Sequence, residues 1–144
     1  MARTAEETAR ATGAAMWADD KASRALGMEL VSVTPGRATR TMPVAETMLN
    51  GLGVCHGGFV FTLADSACAF ASNSYNERAI LQTAQVTLLA PARAGMRLVA
   101  EAIEKTRAER SAIYDVTVRD EATGETLAEF RGLVRKIPGS FIPD

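Results

Sequence analysis

Residues 59–74 read FVFTLADSACAFASNS, an apolar run of 16 residues that carries a single charge, Asp65. The run is too long for an ordinary strand. Its low β-branched content and its Ala, Leu and Phe suit a helix. A helix apolar nearly all round is buried rather than laid on a surface. Whatever this chain folds into must therefore wrap that helix on most of its circumference.

The flanking sequence supplies the wrapping. Met28–Thr34 and Arg37–Val44 read as two strands joined by the turn Pro35-Gly36. Ile80–Ala90, Met96–Lys105, Ser111–Asp120 and Thr126–Ile137 read as four longer strands, with turns at Pro91–Gly95 and Glu121–Gly124. In the last strand Ala128, Phe130, Gly132 and Val134 alternate with Glu129, Arg131, Leu133 and Arg135. An antiparallel sheet this long curls. The predicted class is α+β, a curved antiparallel sheet of about six strands wrapped around one long central helix. Its open edge and open face would be covered most economically by another copy of the chain.

Thr4-Ala-Glu-Glu7 has capping-box spacing and opens an Ala-rich segment running to about Ala25, where Gly27 stops it. This is a leader helix that Gly13 is expected to split, with Met16 and Trp17 as its packing residues. It either simply docks on the body or helps shape a ligand pocket. With 144 residues the chain suits one domain, 1–144, with a leader helix in 1–26 and a tail in 138–144.

Sixteen Lys+Arg against 17 Asp+Glu argue against a chain that coats nucleic acid or an anionic membrane. Cys55 and Cys68 are too few for a disulfide scaffold. The uncharged stretch from Thr47 to Ala64 holds Asn50, His56 and four glycines, so it is no membrane span. Glu6 and Glu7 stand where the apolar core of a signal peptide would be. The expectation is a soluble, cytoplasmic protein.

The chemistry concentrates in Asn50-Gly-Leu-Gly-Val-Cys-His56-Gly57-Gly58, followed by Asp65 within the apolar helix. Gly57 and Gly58 lie at the helix start, where unpaired N–H groups and the positive end of the dipole make an oxyanion hole. Equally, they are small residues at a tight turn. Asp65 is the only charge between Glu46 and Glu77. Burial makes such a carboxylate resist ionising, which suits a catalytic base or nucleophile, or a structural acid with a partner. His56, the only histidine, either orients the loop or donates a hydrogen bond. Cys55, His56, Asp65 and Cys68 lack zinc spacing. Adjacent Cys55 and His56 point apart, which disfavours a nucleophilic dyad, and no Gly-Lys-Ser/Thr follows the glycines to make a phosphate loop.

Gly57 and Asp65 are eight residues apart, so on one helix they are separated by roughly 12 Å along the axis. One carbonyl cannot be held by the first and attacked through the second of the same chain. If both serve one site, two antiparallel copies must supply it across a two-fold axis.

Leu49-Asn50-Gly51, Cys55-His56-Gly57-Gly58, Leu63-Ala64-Asp65 and Phe130-Arg131-Gly132 together resemble the hotdog-fold acyl-CoA thioesterases of phenylacetate degradation, the PaaI type. The likeness runs from the leader to about Ile137. It implies hydrolysis of an acyl- or aryl-CoA without metal or organic cofactor, CoA being part of the substrate. By position, Asp65 resembles the nucleophile or general base, Gly57 the N–H that polarises the thioester carbonyl, and His56 and Asn50 the groups that position the loop, thioester or water. Gly58 joins the substrate-binding set. Relatives place a Ser or Thr near the reaction water in the next strand; Thr83 is close to that place, with Leu81 and Gln82 leaving its register open. Arg107, Arg110 and Ser111, in KTRAERS, fall where relatives hold the nucleotide phosphates, or else form a solvated hairpin tip paired with Glu104 and Glu109. The resemblance further implies a homodimer with interfacial sites that pairs into a homotetramer, acting on phenylacetyl- or hydroxyphenylacetyl-CoA.

Other readings are a medium-chain acyl-CoA thioesterase, a non-catalytic acyl-CoA-binding protein, and an enoyl-CoA hydratase. The last matches poorly, because its Asp and His share one short loop while here His56 precedes Asp65 by nine residues.

Overall fold

The computed structural model describes residues 2–144. The elements are α1 (Ala5–Asp19), α2 (Lys21–Ala25), β1 (Glu29–Thr34), β2 (Arg37–Pro43), a 3-10 turn at Glu46–Met48, α3 (Gly57–Ser72), β3 (Ala79–Leu88), β4 (Arg97–Arg107), β5 (Ser111–Asp120) and β6 (Thr126–Lys136). The six strands form one antiparallel sheet in the order β1-β2-β4-β5-β6-β3. The apolar helix α3 packs against all six. Register shifts interrupt the β1–β2, β3–β6, β4–β5 and β5–β6 ladders, and such bulges add the local twist that lets a sheet close around a helix. This is the curved sheet around one helix that the sequence predicts.

Small residues set how closely helix and sheet approach. Ala64, Ala67 and Ala71 of α3 are fully buried, as are Ala100 and Ala128 on the strands. Gly132 is the tightest point. A methyl group there would lie 2.8 Å from Leu81, 2.9 Å from Phe130 and 3.3 Å from the Cys68 sulfur. The Phe130-Arg131-Gly132 motif is thus first a packing device: β6 needs a glycine where it crosses α3.

The leader departs from expectation at one place. Gly13 does not split α1; it is buried inside a continuous helix, where an added Cβ would lie 3.0 Å from Val33. A glycine there permits close docking on β1. The break falls at Asp20, which closes α1 and caps α2 by accepting the Ser23 N–H at 3.1 Å. The capping box at α1 forms as read, with Thr4 and Glu7 exchanging bonds. At the other end Asn76 pins the tail by accepting the N–H groups of Phe141 and Ile142. Among the described residues no helix is long and apolar enough to cross a membrane.

Candidate active site

The loop before α3 is built by Asn50. Its Oδ1 accepts the N–H of Leu52 at 2.9 Å and of Val54 at 3.3 Å, and its backbone bonds to Val54 and Gly53. A Leu49–Cys55 bridge closes the loop base. Cys55 N–H donates to Ala92 and His56 N–H to Met48, so the loop is tied to the segment after β3 and to the 3-10 turn. Asn50 therefore braces the loop through its side chain and backbone.

His56 is the N-cap of α3. Its Nδ1 accepts the Gly58 N–H at 3.2 Å, which puts the proton of the neutral ring on Nε2. Gly58, expected among the substrate-binding residues, thus has its N–H already engaged. Among the described residues nothing accepts the Gly57 N–H, which leaves it as the open donor of the first turn. Leu88, at the end of β3, lies over Gly57: an added Cβ would come within 2.5 Å of its Cδ1.

Asp65 is half-buried, and among the described residues no group donates to its carboxylate. Burial raises its pKa above the ordinary aspartate value. It lines a pocket of about 480 Å³ between α3 and the leader, together with Met16, Asp20, Ser66, Phe70 and Phe141. Neither thiol is activated. Cys55 points back to the His56 carbonyl oxygen at 3.6 Å with its pKa raised by burial, and burial, then the Asp65 charge, pushes Cys68 up to about 12.

Gly57 and Asp65 both belong to the unbroken helix α3, so the axial separation of roughly 12 Å holds within one chain. One chain carries both groups but does not bring them onto one carbonyl.

Thr83 is exposed on β3, the edge strand. The ladder shifts between Leu81 and Thr83, and Thr83 then pairs with Leu133 rather than with the inward-facing Gly132 or Val134. Within one chain it makes no hydrogen bond to Asp65 among the described residues. Arg107, Arg110 and Ser111 do come together, around a pocket of about 500 Å³ at the β4–β5 turn that Glu77, Glu104 and Lys136 also line. Arg107 pairs with Glu77 at 3.2 Å and stacks on Tyr75 at 3.6 Å, and Lys136 pairs with Glu77 at 2.9 Å. Glu104 instead accepts from the hydroxyls of Tyr75 and Tyr114. Of the hairpin cations Arg107 thus pairs with Glu77 rather than with Glu104 or Glu109, and among the described residues Arg110 makes no ion pair.

Sequence reading missed Arg40. It is fully buried, sandwiched between Trp17 at 4.6 Å and Phe70 at 4.3 Å, and among the described residues its Nε and Nη1 have no partner. The alternation of β2 carried the signal, since Ala38 and Met42 flank it on the same inward face.

Residues 52–127 match the thioesterase superfamily. The acyl-coenzyme A thioesterase PaaI of Escherichia coli (strain K12) is 36% identical over 126 residues, 88% of this chain and 89% of that protein. The solved structure of the E. coli PaaI protein from the phenylacetic acid degradation operon aligns with a TM-score of 0.92 at 34% identity, covering 95% of this chain and 99% of that one. A mutant of the phenylacetic acid degradation protein PaaI from Thermus thermophilus aligns with a TM-score of 0.78 at 36% identity, covering 82% of this chain and all (100%) of that one.

Proposed function

This chain belongs to the thioesterase superfamily and is an acyl-CoA thioesterase, and on that premise we propose that it cleaves phenylacetyl-CoA or hydroxyphenylacetyl-CoA to the free acid and CoA. One observation carries the reading of the site. Among the described residues, helix α3 holds a half-buried carboxylate without a donor, Asp65, and an N-terminal N–H without an acceptor, Gly57. These are the base and the electrophilic donor that thioester hydrolysis needs.

In this reading Asp65 takes a proton from water, and the hydroxyl adds to the thioester carbon. The carbonyl oxygen gathers negative charge against the Gly57 N–H. The C–S bond then breaks as the oxyanion collapses, and the proton held by Asp65 passes to the departing sulfur to give CoA thiol and carboxylic acid. Direct attack by Asp65, through a mixed anhydride that water then hydrolyses, is the variant with the same residues. His56 and Asn50 position the loop that presents Gly57.

The separation of Gly57 and Asp65 along α3 requires a second chain at each site, so the active unit is a homodimer, and its pairing into a homotetramer is part of the proposal. The exposed edge strand β3, with Ile80, Leu88 and Leu89 unburied, supports a copy of the chain as the partner. The pocket at Arg107, Arg110 and Ser111 is the proposed seat of the CoA phosphates, with Arg110, unpaired among the described residues, as a cation to meet them. The whole chain, 1–144, acts as one thioesterase domain in the cytoplasm.

The test is thiol release from phenylacetyl-, hydroxyphenylacetyl-, benzoyl- and straight-chain acyl-CoAs, with Asp65→Asn alongside. Rapid aryl-CoA hydrolysis lost in the variant supports the proposal. Medium-chain preference overturns the substrate, and acyl-CoA binding without turnover overturns the catalytic role of Asp65.

A further inference from the structure

We propose that Met16 of the leader helix is a specificity-determining residue for the acyl group, held in the wall of the Asp65 pocket by the packing of its neighbour Trp17 on Arg40. The inference rests on the reading that Asp65 is the reacting carboxylate.

Two walls of the pocket come from helices, and Arg78 and Phe141 line it as well. One is a single face of α3: Thr62, Asp65, Ser66, Ala69 and Phe70 recur at helical spacing. The other side comes from the leader, with Ala15, Met16 and Asp19 among its lining residues. At about 480 Å³ the pocket is within the range of small-molecule sites. An acyl chain attached to a thioester at Asp65 therefore meets the leader next. The α3 residues beside Asp65 are small, and Ala15 is small, so the largest apolar group that the leader contributes is Met16. Its unbranched thioether fills or vacates space with little change in shape, which suits an apolar acyl group of limited bulk.

The leader is fixed strongly enough to act as a wall. Adjacent helical residues point about 100° apart; Met16 and Trp17 both pack against the core, and of the two only Met16 lines the pocket. Trp17 stacks on the fully buried Arg40 guanidinium, whose other face meets Phe70 of α3, and on Arg24 at 4.8 Å. Among the described residues two of the Arg40 nitrogens lack hydrogen-bond partners and the third reaches the Met28 sulfur at 3.8 Å, so the aromatic faces and the nearby Asp20 charge supply most of what offsets its burial. The Ser23 and Ser66 hydroxyls meet at 3.2 Å, a second tie between leader and α3. Moving the leader would expose Arg40 from beneath Trp17, and Met16 is the residue immediately before Trp17.

The experiment measures kcat/KM for butyryl-, hexanoyl-, octanoyl- and phenylacetyl-CoA with the full chain, Met16→Ala and Met16→Phe, each checked for folding by circular dichroism. Met16→Ala is expected to raise the octanoyl-to-butyryl ratio by about tenfold or more, and Met16→Phe to lower it by a similar factor. Trp17→Leu, which loosens the wall without touching the pocket, is expected to flatten the ratio. Equal changes on every substrate, or none, overturn the assignment of Met16. Absence of hydrolysis by the unmodified enzyme overturns instead the thioesterase chemistry of Asp65, and the inference with it.

Discussion

The Gly57 N–H and the Asp65 carboxylate are two turns apart on one unbroken helix, the first without an acceptor and the second without a donor among the described residues. Helix rigidity keeps them roughly 12 Å apart along the axis, so a reaction that uses both on one carbonyl needs two chains.

That relationship has a direct genetic test. Gly57→Pro removes the one N–H in question at the first helical position, where proline is well tolerated, and His56 already has the extended ψ of 130° that a residue before proline prefers. The added Cβ meets the flexible end of Leu88, which must shift. Gly57→Pro and Asp65→Asn are each expected to be inactive in thiol release. Mixed and refolded together, they are expected to recover about a quarter of wild-type activity, because a mixed dimer keeps one intact site of two. No recovery from folded mixed dimers would place both groups in separate roles.

Asp65→Asn is expected to lower turnover by about 10²–10⁴-fold, the usual contribution of a general base. The pH profile carries the same signature. Burial raises the Asp65 pKa, so the reactive carboxylate form appears only above the ordinary aspartate range, and the acid limb of kcat/KM should sit there. The stability effect has the opposite direction. The native state keeps this proton longer than the unfolded chain, so stability falls as pH rises from the ordinary value, 3.8, through the raised one. Asp65→Asn should remove that slope, read by urea denaturation at several pH values.

His56→Ala deletes the N-cap of α3 and frees the Gly58 N–H. A loss of about 1 kcal/mol is expected in chemical denaturation. His56→Asn restores a capping oxygen and should recover most of that stability. If activity stays low in the Asn variant, the ring does more than cap.

Gly132→Ala pushes a methyl group against Leu81, Phe130 and Cys68 at distances of 2.8–3.3 Å. Overpacking of this kind costs about 1–3 kcal/mol, and the urea midpoint should fall accordingly. Cys68→Ala in the same chain relieves one of the three contacts and should return part of the loss.

The central helix and its six strands were legible because their signals are local: an apolar run without alternation, then alternation of period two between turn residues. The family and its fold were legible in the spacing of Asn50, His56-Gly57-Gly58 and Asp65, and the comparisons bear both out. Other features were not local. Gly13 reads as a break, yet its meaning comes from Val33 on another element. The bulge at Gln82, which sets the register of Thr83, depends on the β6 ladder. Arg40 looks like one more surface charge until Trp17 and Phe70 close over it.

The sequence by itself determined the helix that must be buried, the strands that bury it, and the motifs that carry the likeness to the family. Periodicity, glycine placement and an isolated charge are properties of neighbours along the chain, and α-helix geometry fixes the distance between Gly57 and Asp65 before any packing is known. Only the tertiary structure decided that Asn50 braces the loop, that His56 takes the Gly58 N–H, and that the leader walls the Asp65 pocket over a buried arginine. Those are contacts between residues from distant parts of the chain, set by how closely the elements pack and which side chains fill the space between them.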